Sequence, residues 1–432
     1  MRPKPVKVGM LGCGVVGAAT ARILIDHAGE LETRAGVVIE LAKVAVRDLA
    51  KDRSVSLSSE TWTTDPLDVV NDPEIDVVVE LIGGIEPARE LILAAIRNGK
   101  HVVTANKELL AQLGPEVMIA AEDAGLDVLF EAAVGGGIPI IRPMKESLAG
   151  DRVHRVLGIV NGTTNFILTR MSETGVTFAE ALAEADSLGY TESDPSADID
   201  GYDAASKLAI LASLAFGSRV VAGDVHREGI SKVSTEDIAS AHDLGYEVKP
   251  LAVAEIEDGR VSARVHPAMV PKTHPLASVR DVFNAVFVEA EQVGELMFLG
   301  RGAGGGPTGS AVVGDLVEVA RNIRAGARGI GSAYYRSPAH IRSQEEVPVR
   351  YYVLLSVADQ PGVLAGVAGA FARNGVSIAS VRQEGSGDEA TLTLITHTAS
   401  EGAHEATFED LRAVEGVREI ESRMRVEGAS EG

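Results

Sequence analysis

Asp203 and Lys207 stand four residues apart, so on a helix they share one face. The stretch from Ala204 to Phe216 is otherwise so apolar that Lys207 is its only charged member. A segment apolar on every side predicts a buried helix with one lysine in its first turns. Such a pair is elsewhere a surface ion bridge, and Asp200 or Asp203 a helix cap. Apolar surroundings favour the chemical reading, because a desolvated lysine beside carboxylates holds a proton donor near neutral pH. The segment ahead, Gly189-Tyr190-Thr191-Glu192-Ser193-Asp194-Pro195 and on through Asp198 and Asp200, is strongly acidic. A second lysine stands in Thr104-Ala105-Asn106-Lys107-Glu108, at the C-terminal end of a predicted parallel strand, where α/β proteins open their ligand crevices. If Lys107 and Lys207 converge, each cation is expected to lower the other's pKa from about 10.4 towards the range of a general acid.

Such a donor needs a reaction partner, and the N-terminal segment supplies the frame for one. Val6 to Leu11 predicts a strand that runs into Gly12-Cys13-Gly14-Val15-Val16-Gly17 and then a helix through Ile25, the order of a dinucleotide-binding turn. Gly12 permits the tight turn, Gly14 lets backbone approach a pyrophosphate, and Gly17 lets the helix pack on the strand. Apolar runs recur at Val37 to Val46, Ile75 to Ile82, His101 to Thr104 and Val128 to Phe130, with helical patterns at Pro87 to Asn98 and Glu108 to Ala124 between them. Strands alternating with helices predict a doubly wound parallel sheet over residues 1–135. At the end of the second strand, Arg47, with Lys51 and Arg53 behind it, suits the 2′-phosphate of NADP, while Asp48 leaves NAD open.

Two more glycine stretches bear on the site. In Phe130-Glu131-Ala132-Ala133-Val134-Gly135-Gly136-Gly137-Ile138-Pro139, carbonyls and one carboxylate would suit a hard cation, although spacing alone favours a hinge. Gly300 to Thr308 precedes a helix through Arg321 and offers either backbone amides or a crossover between domains.

Composition bounds the rest. A chain of 432 residues, 45% hydrophobic and 24% charged, folds into two or three domains. A net charge of −22 argues against nucleic acid and anionic membranes as partners. No apolar run spans a bilayer and no signal peptide opens the sequence, so a soluble, cytoplasmic protein is expected. A single cysteine, Cys13, forms no internal disulfide and no cysteine-based metal cage.

Asn161-Gly162-Thr163-Thr164-Asn165-Phe166-Ile167, and the run from Ala185 through Gly189, Asp194-Pro195, Asp198-Ile199, Gly201 and Asp203 to Lys207, resemble the motifs of homoserine dehydrogenases. The resemblance covers almost the full length. It implies reversible NAD(P)-dependent reduction of L-aspartate 4-semialdehyde to L-homoserine, on the route to threonine and methionine. By the same resemblance Lys207 is the proton donor, Lys107 the second active-site lysine, and Asp203 positions the lysine. Glu192 and Asp203 hold the substrate's amino group, Asp198 is a supporting carboxylate, and Gly189 and Thr163 line the substrate. Gly12, Gly14, Val15, Val16, Gly17, Arg47, Lys107, Gly189 and Gly302 are the implied cofactor contacts. Glu131, Val134, Gly136 and Ile138 match a monovalent cation site, usually sodium. Thr308-Gly309 departs from the Thr-Ala expected there. A homodimer or homotetramer is expected.

Residues 326–348 read as a linker, and 349–427 as a βαββαβ ferredoxin-like unit. Asp359-Gln360-Pro361-Gly362-Val363-Leu364 resembles the ligand loop of ACT domains, which implies feedback inhibition by L-threonine with Asp359, Gly362 and Ile378 as effector contacts. The expected chain is thus a Rossmann domain at 1–135 with 301–325 packing back on it, a mixed α/β substrate and dimerisation domain at 136–300, and the ACT domain. Two rivals stay open: an ACT-bearing dehydrogenase for a 2-hydroxy acid or prephenate, and a catalytically silent amino-acid sensor.

Overall fold

The computed structural model describes residues 4–191, 194–329, 331, 336–385 and 390–428. The first unit contains β1 (Val6–Leu11), α1 (Val15–Asp26), α2 (Ala28–Ala35), β2 (Ile39–Ala45), β3 (Trp62–Thr63), α3 (Leu67–Val70), β4 (Val77–Glu80), α4 (Ala88–Arg97), β5 (His101–Thr104), α5 (Lys107–Ala124) and β6 (Val128–Leu129). Its strands are parallel in the order β3-β2-β1-β4-β5-β6. The order reverses between β1 and β4, and ligands bind outside the strand ends at such a switch point. All four residues of β4 are buried, as a strand covered on both faces requires. The elements expected from the sequence do not include α2, β3 or α3, which are only eight, two and four residues long.

The second unit contains β7 (Val153–Ile159), α6 (Gly162–Thr174), α7 (Phe178–Ser187), α8 (Ser196–Ile199), α9 (Tyr202–Phe216), β8 (His226–Arg227), α10 (Thr235–Asp243), β9 (Tyr246–Glu257), β10 (Arg260–Pro271), β11 (Phe283–Ala290) and β12 (Gly294–Arg301). Asp258 and Gly259, both at positive φ, form the two-residue turn that sets the β9–β10 register from Glu257↔Arg260 to Tyr246↔Pro271. The chain then returns to the first unit as α11 (Gly305–Ala325), which lies on α1. A Cβ on Gly305 would meet the Val15 carbonyl at 2.9 Å, and one on Gly309 would meet the Thr20 nitrogen at 3.1 Å. Close packing thus explains glycine at 309, where alanine is expected.

The last unit contains β13 (His340–Ile341), β14 (Pro348–Val357), α12 (Val363–Arg373), β15 (Ile378–Glu384), β16 (Ala390–Thr396), β17 (Ala399–Ser400), α13 (Glu401–Arg412) and β18 (Val417–Val426). It does not stand apart from the catalytic body. One mixed sheet runs β12-β11-β7-β9-β10-β18-β14-β16-β15, joined where β18 pairs with β10 at Ala268↔Arg425 and Met269↔Val426. Tyr352 and Met424 share an apolar core with Phe166, Ile199 and Met269. Part of the stretch read as a linker also pairs with β10, at Arg260↔His340.

Candidate functional site

The glycine turn has the stereochemistry its three glycines require. Gly12 lies at φ +94°, and a Cβ there would stand 2.8 Å from the Leu81 carbonyl. A Cβ on Gly17 would stand 2.5 Å from the Gly12 carbonyl, so helix and strand touch. A Cβ on Gly14 would meet nothing within 4 Å, which leaves backbone open for a pyrophosphate at the start of α1. Val15 is well exposed and Val16 half-buried in the first turn of that helix. Arg47 is exposed just beyond β2. The Arg53 guanidinium stacks 5.6 Å from the Trp62 ring centroid, and its charge opposes the rise that burial imposes on the Cys13 thiol.

At the other side of the switch point, buried Glu80 ends β4 and ties two loops together. Its Oε1 accepts from the Ile82 and Gly83 amides, and its Oε2 from Thr104 Oγ1 at 2.7 Å. Thr104 Oγ1 in turn accepts from the Asn106 amide, and Asn106 Oδ1 caps α5 by accepting from Leu109 N. Lys107 is thereby fixed in the first turn of α5. Glu80 escapes sequence reading, although a charged residue ending Val-Val-Val is its trace.

The two lysines meet on one carboxylate. Lys107 Nζ lies 2.6 Å from Asp203 Oδ1, and Lys207 Nζ donates to Asp203 Oδ2 at 2.6 Å and to the Val160 carbonyl at 2.7 Å. Lys207 and Asp203 are buried in α9, away from bulk solvent. Asn161, at the end of β7, donates from Nδ2 to Asp198 Oδ1 at 2.6 Å and to Asp203 Oδ2 at 2.9 Å. Thr163 Oγ1 donates to the Tyr190 carbonyl beside Gly189, which takes φ +73° after α7. Glu192 lies outside the described residues.

The expectation that each lysine lowers the other holds for one of them only. Burial pulls Lys207 below the ordinary lysine range; Asp203 opposes that pull and Lys107 adds to it. Burial also pulls Lys107 down, but the charge and hydrogen bond of Asp203 outweigh it and the pKa rises. Asp203 is driven below the carboxylate range, because the two lysines overcome its desolvation. Asp198 is raised, chiefly by burial and further by Asp203, against its bond from Asn161.

The glycine loop after β6 is built differently from the reading of Glu131 as a side-chain ligand. Its carboxylate accepts from the Ile140, Ile141 and Arg142 amides at 2.6 to 2.9 Å, so it shapes the backbone beyond the loop. Gly136, at φ +53°, packs on Gly302, whose carbonyl a Cβ would meet at 2.5 Å. Among the described residues no group of three or more His, Cys, Asp or Glu side chains could hold a metal ion.

In the last unit, Gly362 at φ +99° caps α12, Asp359 accepts from Gln383 of β15 at 2.9 Å, and Ile378 begins β15. No described helix is long and apolar enough to cross a membrane.

A Rossmann sheet whose strand-end lysine meets, on one carboxylate, a buried lysine from a helix of the second unit is an arrangement suited to a nucleotide-dependent oxidoreductase. Comparison with known proteins narrows this. Residues 139–317 match the family model described as homoserine dehydrogenase, 12–131 its NAD-binding domain, and 351–416 the ACT domain. Homoserine dehydrogenase of Mycobacterium tuberculosis is 50% identical over 98% of both chains, and that of Corynebacterium glutamicum 47% identical over 98% of this chain and 96% of its own. The crystal structure of a homoserine dehydrogenase from Thiobacillus denitrificans superposes with a TM-score of 0.93 at 42% identity, covering 98% of each chain. A hyperthermophilic archaeal homoserine dehydrogenase in complex with NADPH covers 73% of this chain and 98% of its own, at TM-score 0.63 and 30% identity. The chain belongs to the homoserine dehydrogenase family, a family of NAD(P)-dependent oxidoreductases, and carries an ACT domain.

Proposed function

We propose that the protein reduces L-aspartate 4-semialdehyde to L-homoserine reversibly, with Lys207 as the proton donor. The observation that carries this is the Lys207 ammonium, buried and held between Asp203 and the Val160 carbonyl. When bound, the dinucleotide supplies the hydride. Lys207 Nζ gives its proton to the oxygen that becomes the alcohol, and burial makes the neutral amine it leaves behind less costly. Lys107 is held as a cation by Asp203, so it stabilises negative charge on that oxygen without giving up its proton. Asp198, Asp203 and Glu192 serve the substrate ammonium, and Gly189 and Thr163 the wall beside it. The open face at Gly14, with Gly12, Val15, Val16, Gly17, Lys107, Gly189 and Gly302, holds the cofactor.

Arg47 supports NADP over NAD, and the archaeal relative's NADPH complex points the same way. The carbonyls of Glu131, Val134, Gly136 and Ile138 hold a sodium ion that fixes the loop against Gly302. L-threonine binds the ACT domain at Asp359, Gly362 and Ile378 and lowers activity by favouring a less active state. Assembly is a homodimer or homotetramer, in keeping with edge strands at both ends of the long sheet and Leu299 exposed on β12.

The test is steady-state kinetics with homoserine and each cofactor, with and without threonine, on the wild type and Lys207→Ala. Turnover of homoserine that the variant loses, with cofactor affinity near normal, is the expected result. Undiminished turnover by the variant removes the role given to Lys207.

A further inference from the structure

We infer that Asn161 is a positioning residue whose amide nitrogen holds Asp198 and Asp203 side by side as two anions. The inference rests on the active site proposed above. One nitrogen donates to both carboxylates, at 2.6 and 2.9 Å, and the residue is buried. Its orientation is fixed from the other end, since Asn161 Oδ1 accepts from Thr164 N at 2.9 Å and from Thr164 Oγ1 at 3.0 Å. Turning the amide over would break three of these four contacts, sparing only that with the Thr164 hydroxyl, which can accept as well as donate. The backbone of the same turn serves Lys207, which donates to the carbonyl of Val160. The end of β7 therefore sets the proton donor, its anion and the neighbouring carboxylate together.

Two carboxylates this close repel, and one of them protonates unless something offsets the repulsion. Asp203 is held ionised by Lys107 and Lys207, which take one oxygen each. Asp198 has weaker support. Burial and Asp203 push its pKa up, while Asn161 and, less strongly, Lys207 and Lys107 push it down. The first two turns of α6, Gly162 to Thr169, add no charged side chain. Asn161 is therefore the side chain that donates directly to Asp198, at 2.6 Å, and so favours it as an anion available for a substrate ammonium.

Asn161→Asp separates this role from helix capping. The new side chain keeps an oxygen for Thr164 N, so α6 stays capped, but it replaces the donor with a third carboxylate facing Asp198 and Asp203. The expected result is a folded enzyme whose acidic limb of kcat/KM for homoserine moves up by about one to two pH units, the equivalent of one charge-assisted hydrogen bond. KM for homoserine should rise more than kcat falls, and KM for the cofactor should stay put. Asn161→Ala, which loses cap and donor together, should show the same direction of pH shift with a lower Tm. A variant Asn161→Asp with wild-type pH profile and KM overturns the inference, as does a loss in Asn161→Ala confined to Tm. If Lys207→Ala keeps its turnover, the site reading itself is wrong. If Lys207→Ala is dead while Asn161→Asp is normal, only this inference fails.

Discussion

Replacing Asp203 by asparagine removes the anion shared by both lysines while keeping the size of the side chain. The carboxylate lies 2.6 Å from each Nζ, but the two contacts differ in weight. Lys207 is 10% exposed and Asp203 8%, so theirs is a buried pair. Lys107 is 37% exposed, and solvent screening discounts its share. Removing one member of a buried pair leaves an uncompensated charge worth about 3–5 kcal/mol. Lys207 relieves that cost by releasing its proton. It already sits below the ordinary lysine range because of burial, with Asp203 the main influence resisting the fall. Losing that resistance lowers its pKa further. Aldehyde reduction uses the protonated lysine, so rate is present below this pKa and lost above it. The alkaline limb of kcat/KM for reduction therefore moves to lower pH by that amount. The loss therefore grows with pH across that interval, towards the roughly 10²- to 10⁴-fold that a positioned general acid is usually worth. Initial rates of reduction across pH, on wild type and Asp203→Asn with matching far-UV circular dichroism, measure it. An unchanged alkaline limb in a folded variant, or a deficit flat with pH, refutes the claim that Asp203 sustains the charge on Lys207.

Arg47→Ala should raise KM for NADP by about tenfold, the worth of one charge-assisted bond, and leave KM for NAD unchanged; equal effects on both cofactors place Arg47 away from the 2′ position. Glu427→Gln should destabilise the fold by about 3–5 kcal/mol, read as a fall in Tm, because it strips the anion from buried Arg264 at 2.8 Å and from Arg155 at 2.6 Å. Burial works against Glu427, but Arg264, His266 and Arg155 overcome it and hold the carboxyl well below its usual range. A depressed carboxylate stabilises above its unfolded pKa and loses that contribution as pH falls through its folded one. The wild type should therefore lose more stability on acidification than Glu427→Gln does, as followed by melts at successive pH values.

What the sequence exposes is what local spacing controls. The glycine turn, β5, and the helix carrying Asp203 and Lys207 are legible because a period or a four-residue interval carries each. The direction of the Lys107 shift is not legible in that way. Counting two cations predicts mutual depression, whereas an anion placed 2.6 Å from each makes the more exposed lysine the stronger base and leaves the buried one the weaker. Placement, not count, decides the sign. The end of β18 fails to announce itself for a related reason. Glu421-Ser422-Arg423-Met424-Arg425-Val426 is half charged and carries no apolar run, yet Arg425 is buried. Glu401 accepts from its guanidinium, Glu228 pairs with it at 2.7 Å, and Tyr351 hydrogen-bonds to Glu401. Glu427 is then drawn in between Arg264 and Arg155, so the ACT unit closes on the catalytic sheet through charges whose partners lie 163 and 272 residues away in the chain. A pattern that reads one window at a time sees only half of each such pair. Arg155 lies on β7, the strand that ends at Ile159, directly ahead of Val160 and Asn161. The ACT unit is therefore ion-paired through Glu427 to the strand directly ahead of the carbonyl that accepts from Lys207.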